Sequence, residues 1–100
     1  MTAYDAIAEP TRRRILDLLR QQPRAVNDLV TALGVSQPGV SKHLRVLRDA
    51  GLVQVRPVAQ QRIYTVRPEP LADIDEWLTP YRILWAQRLD ALERHLEERS

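Results

Sequence analysis

The apolar positions change period near Gly51, and that change divides the chain into a helical front, a strand-like middle and a helical end. Residues 3–8 read as a short helix. Glu9-Pro10 opens a second, because proline suits the first helical position, where a missing N–H is harmless. Ile15, Leu18 and Leu19 form its apolar set, Arg12, Arg13, Arg14 and Asp17 take the wet face, and Gln21-Gln22-Pro23 ends it. Asn27 is the expected N-cap of a third helix carrying Leu29, Val30 and Leu33. Gly34 supplies the left-handed residue at its end. Ser36 caps a fourth helix, with Pro38 in its first turn and Val40, Leu44 and Leu47 as one apolar stripe.

Beyond Gly51, Leu52, Val53 and Val55 lead to Arg56-Pro57-Val58, and Arg62-Ile63-Tyr64-Thr65-Val66 has strand composition. The two runs flank Ala59-Gln60-Gln61, which predicts a hairpin; without glycine at the tip its turn type stays open. After Pro68-Glu69-Pro70, a helix is expected from Leu71 to about Leu78. Thr79-Pro80 then reads as the cap and first position of a last helix ending near Arg99. Its apolar set, Tyr81, Leu84, Trp85, Leu89, Leu92 and Leu96, is a stripe too long and too terminal for so small a domain to cover.

The segment Asn27 to Leu52, two helices joined at Leu33-Gly34-Val35, fits a helix-turn-helix, with Val35 as the expected buried residue after the turn. Because Val40, Leu44 and Leu47 point inward, Gln37, Ser41, Lys42 and Arg45 point outward, clustered towards the helix N-terminus. A helix entering the major groove reads bases from that end. Gln pairs with adenine, Ser is adaptable, and Lys42 reaches a guanine edge or a phosphate. The competing reading is a helical hairpin with a merely solvated polar face. The hairpin downstream argues against it: a basic β-hairpin after a recognition helix is the wing of a winged helix, with Arg56 and Arg62 flanking the tip and Gln60 and Gln61 on it.

Charge sharpens this picture. Residues 1–67 hold 11 Lys/Arg against 5 Asp/Glu, whereas residues 68–100 hold 4 Arg against 8 Asp/Glu. A basic front facing a polyanion and an acidic rear facing something else would produce such a split. One hundred residues make a single domain, marginal as a monomer. There is no cysteine, which excludes disulfides, thiolate metal sites and thiol switching. The N-terminus does not read as a signal peptide and no apolar run is long enough for a membrane, so a cytoplasmic protein is expected. There is no glycine-rich phosphate loop, no nucleophile motif and no acid–base pair, which argues against an enzyme.

The stretches AIAEPTRRRILDLL, LGVSQPGVSKHLRVLRDAGLV and RIYTV, in this order, resemble the ArsR family of bacterial repressors over nearly the whole chain. The ending PEPLADIDEWL…LWAQRLDALERHLEE resembles a cysteine-free branch that includes autorepressors. The resemblance implies a mainly α fold with a two-stranded β-wing, a winged helix-turn-helix dimerising through its first and last helices. The helix-turn-helix would span 27–50, the wing 52–66 and the dimerising C-terminal helices 71–99. The partners would be palindromic double-stranded operator DNA and a second copy of the chain, with any small-molecule effector unspecified. Gln37, Ser41 and Lys42 fall where the family's base-contacting residues lie. The whole DNA-facing set is then Gln37, Pro38, Ser41, Lys42, His43, Arg45, Arg56, Gln60, Gln61 and Arg62. The interface set is Ile7, Tyr81, Trp85, Leu89, Leu92 and Leu96. Ala59 stands at the wing tip where the family often has glycine, which leaves the wing's placement open.

Many such relatives sense metals. One site type needs paired cysteines; the other spaces Asp-x-His, ten residues, then His-x-x-Glu on the last helix. Here His95 and Glu98 match the second half, but Arg82 and Leu84 stand where the first should be. Half a site cannot fill four zinc positions, so neither a metal nor another cofactor is expected. His43 either bonds a phosphate or orients the wing. Trp77 and Trp85 either line a small-molecule pocket or pack in the core or a dimer interface. A winged helix that binds only protein is the remaining alternative, and salt-sensitive duplex binding would separate the two.

Overall fold

A computed structural model describes residues 1–99. The elements are α1 (Ala3–Ile7), α2 (Pro10–Gln21), β1 (Arg24–Ala25), α3 (Val26–Leu33), α4 (Gln37–Asp49), β2 (Val53–Val58), β3 (Gln61–Val66) and α5 (Leu71–Arg99). Helix starts follow local chemistry. Thr2 and Asp5 cap α1 reciprocally: the Thr2 hydroxyl accepts from the Asp5 N–H at 3.2 Å, and the Asp5 carboxylate accepts from the Thr2 N–H at 3.4 Å. The Glu9 carboxylate accepts from the Arg12 N–H at 3.0 Å, with Pro10 in the first turn. Ser36 Oγ accepts from the Gly39 N–H at 3.2 Å. Gly34 ends α3 in the left-handed region at φ +67°.

α3 begins two residues earlier than Asn27 as a cap would allow. Asn27 lies inside the helix, Ala25 is the cap residue, and the Asp28 carboxylate accepts the Ala25 N–H at 3.2 Å. The earlier start is tied to β1, which the sequence pattern missed. Arg24 and Ala25 pair antiparallel with Tyr64 and Ile63, adding a third strand to the two-stranded wing in the order β1-β3-β2. Two residues carry no period that could betray a strand. Arg24 fastens the strand to the end of α2, donating to the Leu18 carbonyl at 3.2 Å and to Gln21 Oε1 at 3.1 Å.

The hairpin loop is two residues, Ala59-Gln60, because Gln61 already pairs with Val58. Ala59 adopts φ +55°. The core lies between α2, α3, α4 and the base of the hairpin. Ile15, Leu29, Val40, Leu44, Leu47 and Leu52 are fully buried, and Leu16, Leu19, Leu33, Val53 and Tyr64, with Ala3 and Ala6 of α1, complete it. Leu18 and Val35 are only half-buried at its margin.

The expected break at Thr79-Pro80 does not occur: α5 is one helix of 29 residues with Pro80 inside it. Side chains brace the turn that precedes the proline. Thr79 Oγ1 donates to the Asp75 carbonyl at 3.2 Å, and Arg82 donates to the same carbonyl at 2.8 Å while pairing with the Asp75 carboxylate at 2.9 Å. The start of α5 rests on the body through Leu71 and Ile74. Tyr4 Oη donates to the Asp73 carbonyl at 3.0 Å, and its ring meets Trp77 edge-on at 6.4 Å. No α5 residue is buried, and the chain measures 64 × 25 × 20 Å.

Candidate nucleic-acid interface

α4 is amphipathic by sequence, so burial of Val40, Leu44 and Leu47 decides which side chains face out. Gln37, Pro38, Ser41, Lys42 and Arg45 are all exposed. Its first turn is held close to the preceding turn: a Cβ on Gly39 would lie 2.9 Å from Val35 Cγ1. Gln37, Ser41 and Arg45 line an open cleft of about 490 Å³ between α4 and β3, and Arg62 faces them from the hairpin. A neighbouring recess of about 230 Å³ joins Gln37 and Arg62 to Asn27, Gln60 and Gln61. Six of the ten expected DNA-facing residues thus converge on one continuous surface. Pro38 and Lys42 are exposed on α4 outside the lining of that cleft.

Arg56 does not flank the tip beside Arg62. Arg56 pairs with Ile63 and Arg62 pairs with Pro57, adjacent rungs of the ladder, so the two arginines project from opposite faces. Arg62 shares its face with buried Tyr64 and turns to α4. Arg56 lines a separate recess with Gln54 and Thr65.

His43 is half-buried and turned to α2, not to the wing, which removes the wing-orienting role. Its Nδ1 lies 3.4 Å from Arg12 Nη1 and 3.8 Å from Glu9 Oε2. Arg12 is correspondingly no simple wet-face residue. It also donates to the Ala6 carbonyl at 2.6 Å and the Asp5 carbonyl at 3.2 Å. Burial pushes the Glu9 carboxyl up, but the backbone N–H groups of Thr11 and Arg12, with the His43 charge, bring it below its ordinary value.

Arg48 and Asp49 also line the cleft, and neither was singled out from the sequence. The signal was present in helical spacing, since Arg48 lies seven residues after Ser41 and on the same stripe. Of the interface set, Ile7 is half-buried against the core, whereas Tyr81, Trp85, Leu89, Leu92 and Leu96 are exposed. Trp77 and Trp85 are exposed too, which rules out core packing for both. Among the described residues no group of three or more His, Asp or Glu is placed to hold a metal ion. No helix among them is long and apolar enough to cross a membrane.

Comparisons with known proteins agree with this geometry. Residues 9–55 match the family model described as bacterial regulatory protein, arsR family. The HTH-type transcriptional regulator Rv2034 of Mycobacterium tuberculosis is 41 % identical over 93 residues, covering 89 % of this chain and 87 % of that protein. The transcriptional repressor SdpR of Bacillus subtilis is 32 % identical, covering 75 % of this chain and 83 % of its own. The crystal structure of a possible transcriptional regulator for arsenical resistance superposes with a TM-score of 0.72 at 38 % identity, covering 87 % of this chain and 91 % of the other. With a helix-turn-helix, a wing and relatives matched over most of their length, the chain belongs to the ArsR family of bacterial regulatory proteins and is a DNA-binding transcriptional regulator.

Proposed function

We propose that this regulator is a repressor that binds a palindromic operator as a homodimer, in the cytoplasm where it meets the chromosome. The observation that carries the reading is the uncovered face of α5. Trp85, Leu89, Leu92 and Leu96 recur at helix-seam spacing and remain exposed in the single chain. A globular monomer of 11.6 kDa exposes about 5,800 Å². This chain exposes 7310 Å², and its radius of gyration is 18.6 Å, against about 13 Å for a compact domain of its length. The surplus exceeds the roughly 800 Å² per partner of a standard interface, so a second copy has enough surface to bury.

A two-fold pair of α5 helices, with Ile7 and Tyr81 at its margin, would set two recognition helices on the same side of the duplex, roughly 34 Å apart. Gln37, Ser41 and Lys42 would read base edges in each half-site. Arg45, Arg62, Gln60 and Gln61 would contact backbone or groove edge beside them, and Arg56 a more distant phosphate. Pro38 and His43 would stand close to the DNA at the margins of this set. Each half-site alone binds weakly, and linkage raises the effective concentration of the second contact. The test is sedimentation equilibrium together with selection of bound duplexes from random DNA. A dimer mass and an inverted repeat, with half-site centres about 10–10.5 base pairs apart or a multiple, are expected. A monomer that binds an asymmetric site tightly would overturn the reading.

A further inference from the structure

The cleft between α4 and β3 brings together three guanidinium groups, those of Arg45, Arg48 and Arg62, and a single carboxylate, Asp49. None of the three arginine side chains makes a hydrogen bond or ion pair among the described residues. Like charges gathered around one cleft repel one another unless an anion lies between them. The floor is rigid, because Leu44 and Tyr64 are buried in the core. The two walls are independent elements. Arg45 and Arg48 come from the C-terminal half of α4, and Arg62 comes from the face of β3 that turns towards it. Along α4 the base-reading end, Gln37 and Ser41, gives way to this cationic end about 10 Å further on.

We propose that Arg48 and Arg62 grip one and the same DNA backbone phosphate at the rear of this cleft, so that helix and wing are locked to the duplex through a shared anion. The proposal rests on the DNA-binding reading above and adds Arg48 to it. The planar guanidinium fork suits a phosphate held from two sides, each arginine offering paired N–H donors to different oxygens. Arg45, one turn nearer the base-reading end, supports the field without closing the grip. Asp49 on the same rim opposes the phosphate and limits affinity. Because a phosphate carries no sequence information, the grip acts alike on every duplex and sets the register from which Gln37 and Ser41 read.

The test measures duplex binding by fluorescence anisotropy across salt concentrations. It uses a duplex selected by the wild type from random DNA and an unrelated duplex of equal length. Arg48→Ala and Arg62→Ala should each weaken both duplexes by the same factor, about tenfold. The double variant should weaken them by less than the product of the single losses, and its log–log salt slope should fall by about 1.8, the value for one phosphate in each half of the dimer. Asp49→Asn should tighten both duplexes, a gain that misfolding cannot mimic. Unchanged binding by Arg48→Ala overturns the proposal. So do multiplicative losses with a slope reduction of about 3.6, which would mean two separate phosphates in each half of the dimer. A wild type that binds no duplex at all would instead bring down the DNA-binding reading beneath it.

Discussion

Arg12 on α2 reaches His43 on α4 with 3.4 Å between Nη1 and Nδ1, while its other nitrogens hold the Ala6 and Asp5 carbonyls. A guanidinium can only donate, so this contact is a hydrogen bond in the tautomer whose Nδ1 carries no proton. One side chain therefore joins the carbonyl end of α1 to the recognition helix. Arg13 adds a second tie, donating to the Ile7 carbonyl at 2.7 Å. In the proposed dimer α1 lies near the partner, so this clamp links the assembly to the reading helix.

Removing the clamp should be felt in stability and in binding. Arg12→Ala leaves two carbonyls and a histidine nitrogen without their donor, a loss of about 1.5–3 kcal/mol for a charged hydrogen-bonding group. Arg12→Lys should recover only part of it, because one ammonium cannot span the three acceptors. Arg13→Ala, with a single acceptor, should cost less than Arg12→Ala. Denaturant titration checks the order, and an Arg12→Ala protein as stable as the wild type would refute the clamp.

Acid should attack the same region. The Thr2 hydroxyl, followed by the Thr2 backbone, holds the Asp5 carboxyl below its ordinary 3.8. Glu9, where burial works upward and backbone N–H groups prevail, is held below 4.5. Both folded values lie below the unfolded ones. Their stabilisation is therefore complete above the ordinary values and is lost as pH falls through the folded ones. Thermal stability should decline as pH drops below 4.5, with α1 and the first turn of α2 loosening. In the Asp5→Asn/Glu9→Gln variant that decline should be shallower and the neutral-pH stability lower. Parallel curves for the two proteins would show that these caps do not matter.

At the wing tip, Ala59 holds a backbone conformation that glycine adopts freely, φ +55°. A left-handed alanine costs about 1–2 kcal/mol, of which glycine returns part through its looser unfolded state. Ala59→Gly should stabilise the protein by about 0.5–1 kcal/mol, and Ala59→Val should destabilise it. Equal denaturation midpoints for all three would place the hairpin outside the cooperative unit.

These caps and clamps mark where the sequence could be read and where it could not. The apolar stripe of α4 and the Gly34 stop were visible because local chemistry alone decides them. So was the outward face of Gln37, Ser41 and Arg45, once Leu44 and Leu47 point in. Thr79-Pro80 misled, because a proline that follows a threonine is also a cap signal. Across the proline, Arg82 reaches back seven residues to Asp75, a contact that residue-by-residue propensity does not contain. β1 was invisible for a similar reason, as it exists only through its pairing with Tyr64 and Ile63. The opposite facing of Arg56 and Arg62 depends on a two-residue loop, where the sequence pattern put three residues, Ala59-Gln60-Gln61, between the strands.

That facing predicts unequal roles on DNA. Gln37→Ala and Ser41→Ala should each cost about 1–3 kcal/mol on the preferred sequence and little on unrelated duplexes. Arg62→Ala should weaken all duplexes, and more than Arg56→Ala does, since Arg56 projects away from the cleft. Competition binding against a panel of single-base variants separates the two behaviours. Uniform losses for Gln37→Ala across that panel would remove it from base reading.

The α5 face offers the sharpest test of assembly, because the helix carries its own control. Leu92 and Ile83 are almost equally exposed, at 54 % and 56 %. Nine residues separate them, which at 3.6 residues per turn puts them on opposite sides of the helix. Leu92 lies among Trp85, Leu89 and Leu96, whereas Ile83 lies among Asp90 and Arg94. Leu92→Glu would bury carboxylates in an apolar seam without a partner charge, so it should split the dimer and abolish tight operator binding. Ile83→Glu makes the same chemical change on the wet face and should leave both intact. Neither side chain belongs to the core, so both variants should keep the helical circular dichroism of a folded body. Sedimentation and operator binding, measured on the pair, then separate a seam from a general intolerance of charge on α5. A dimeric Leu92→Glu beside a monomeric Ile83→Glu would put the two-fold contact on the other side of the helix, with the recognition helices set at a different spacing on the DNA.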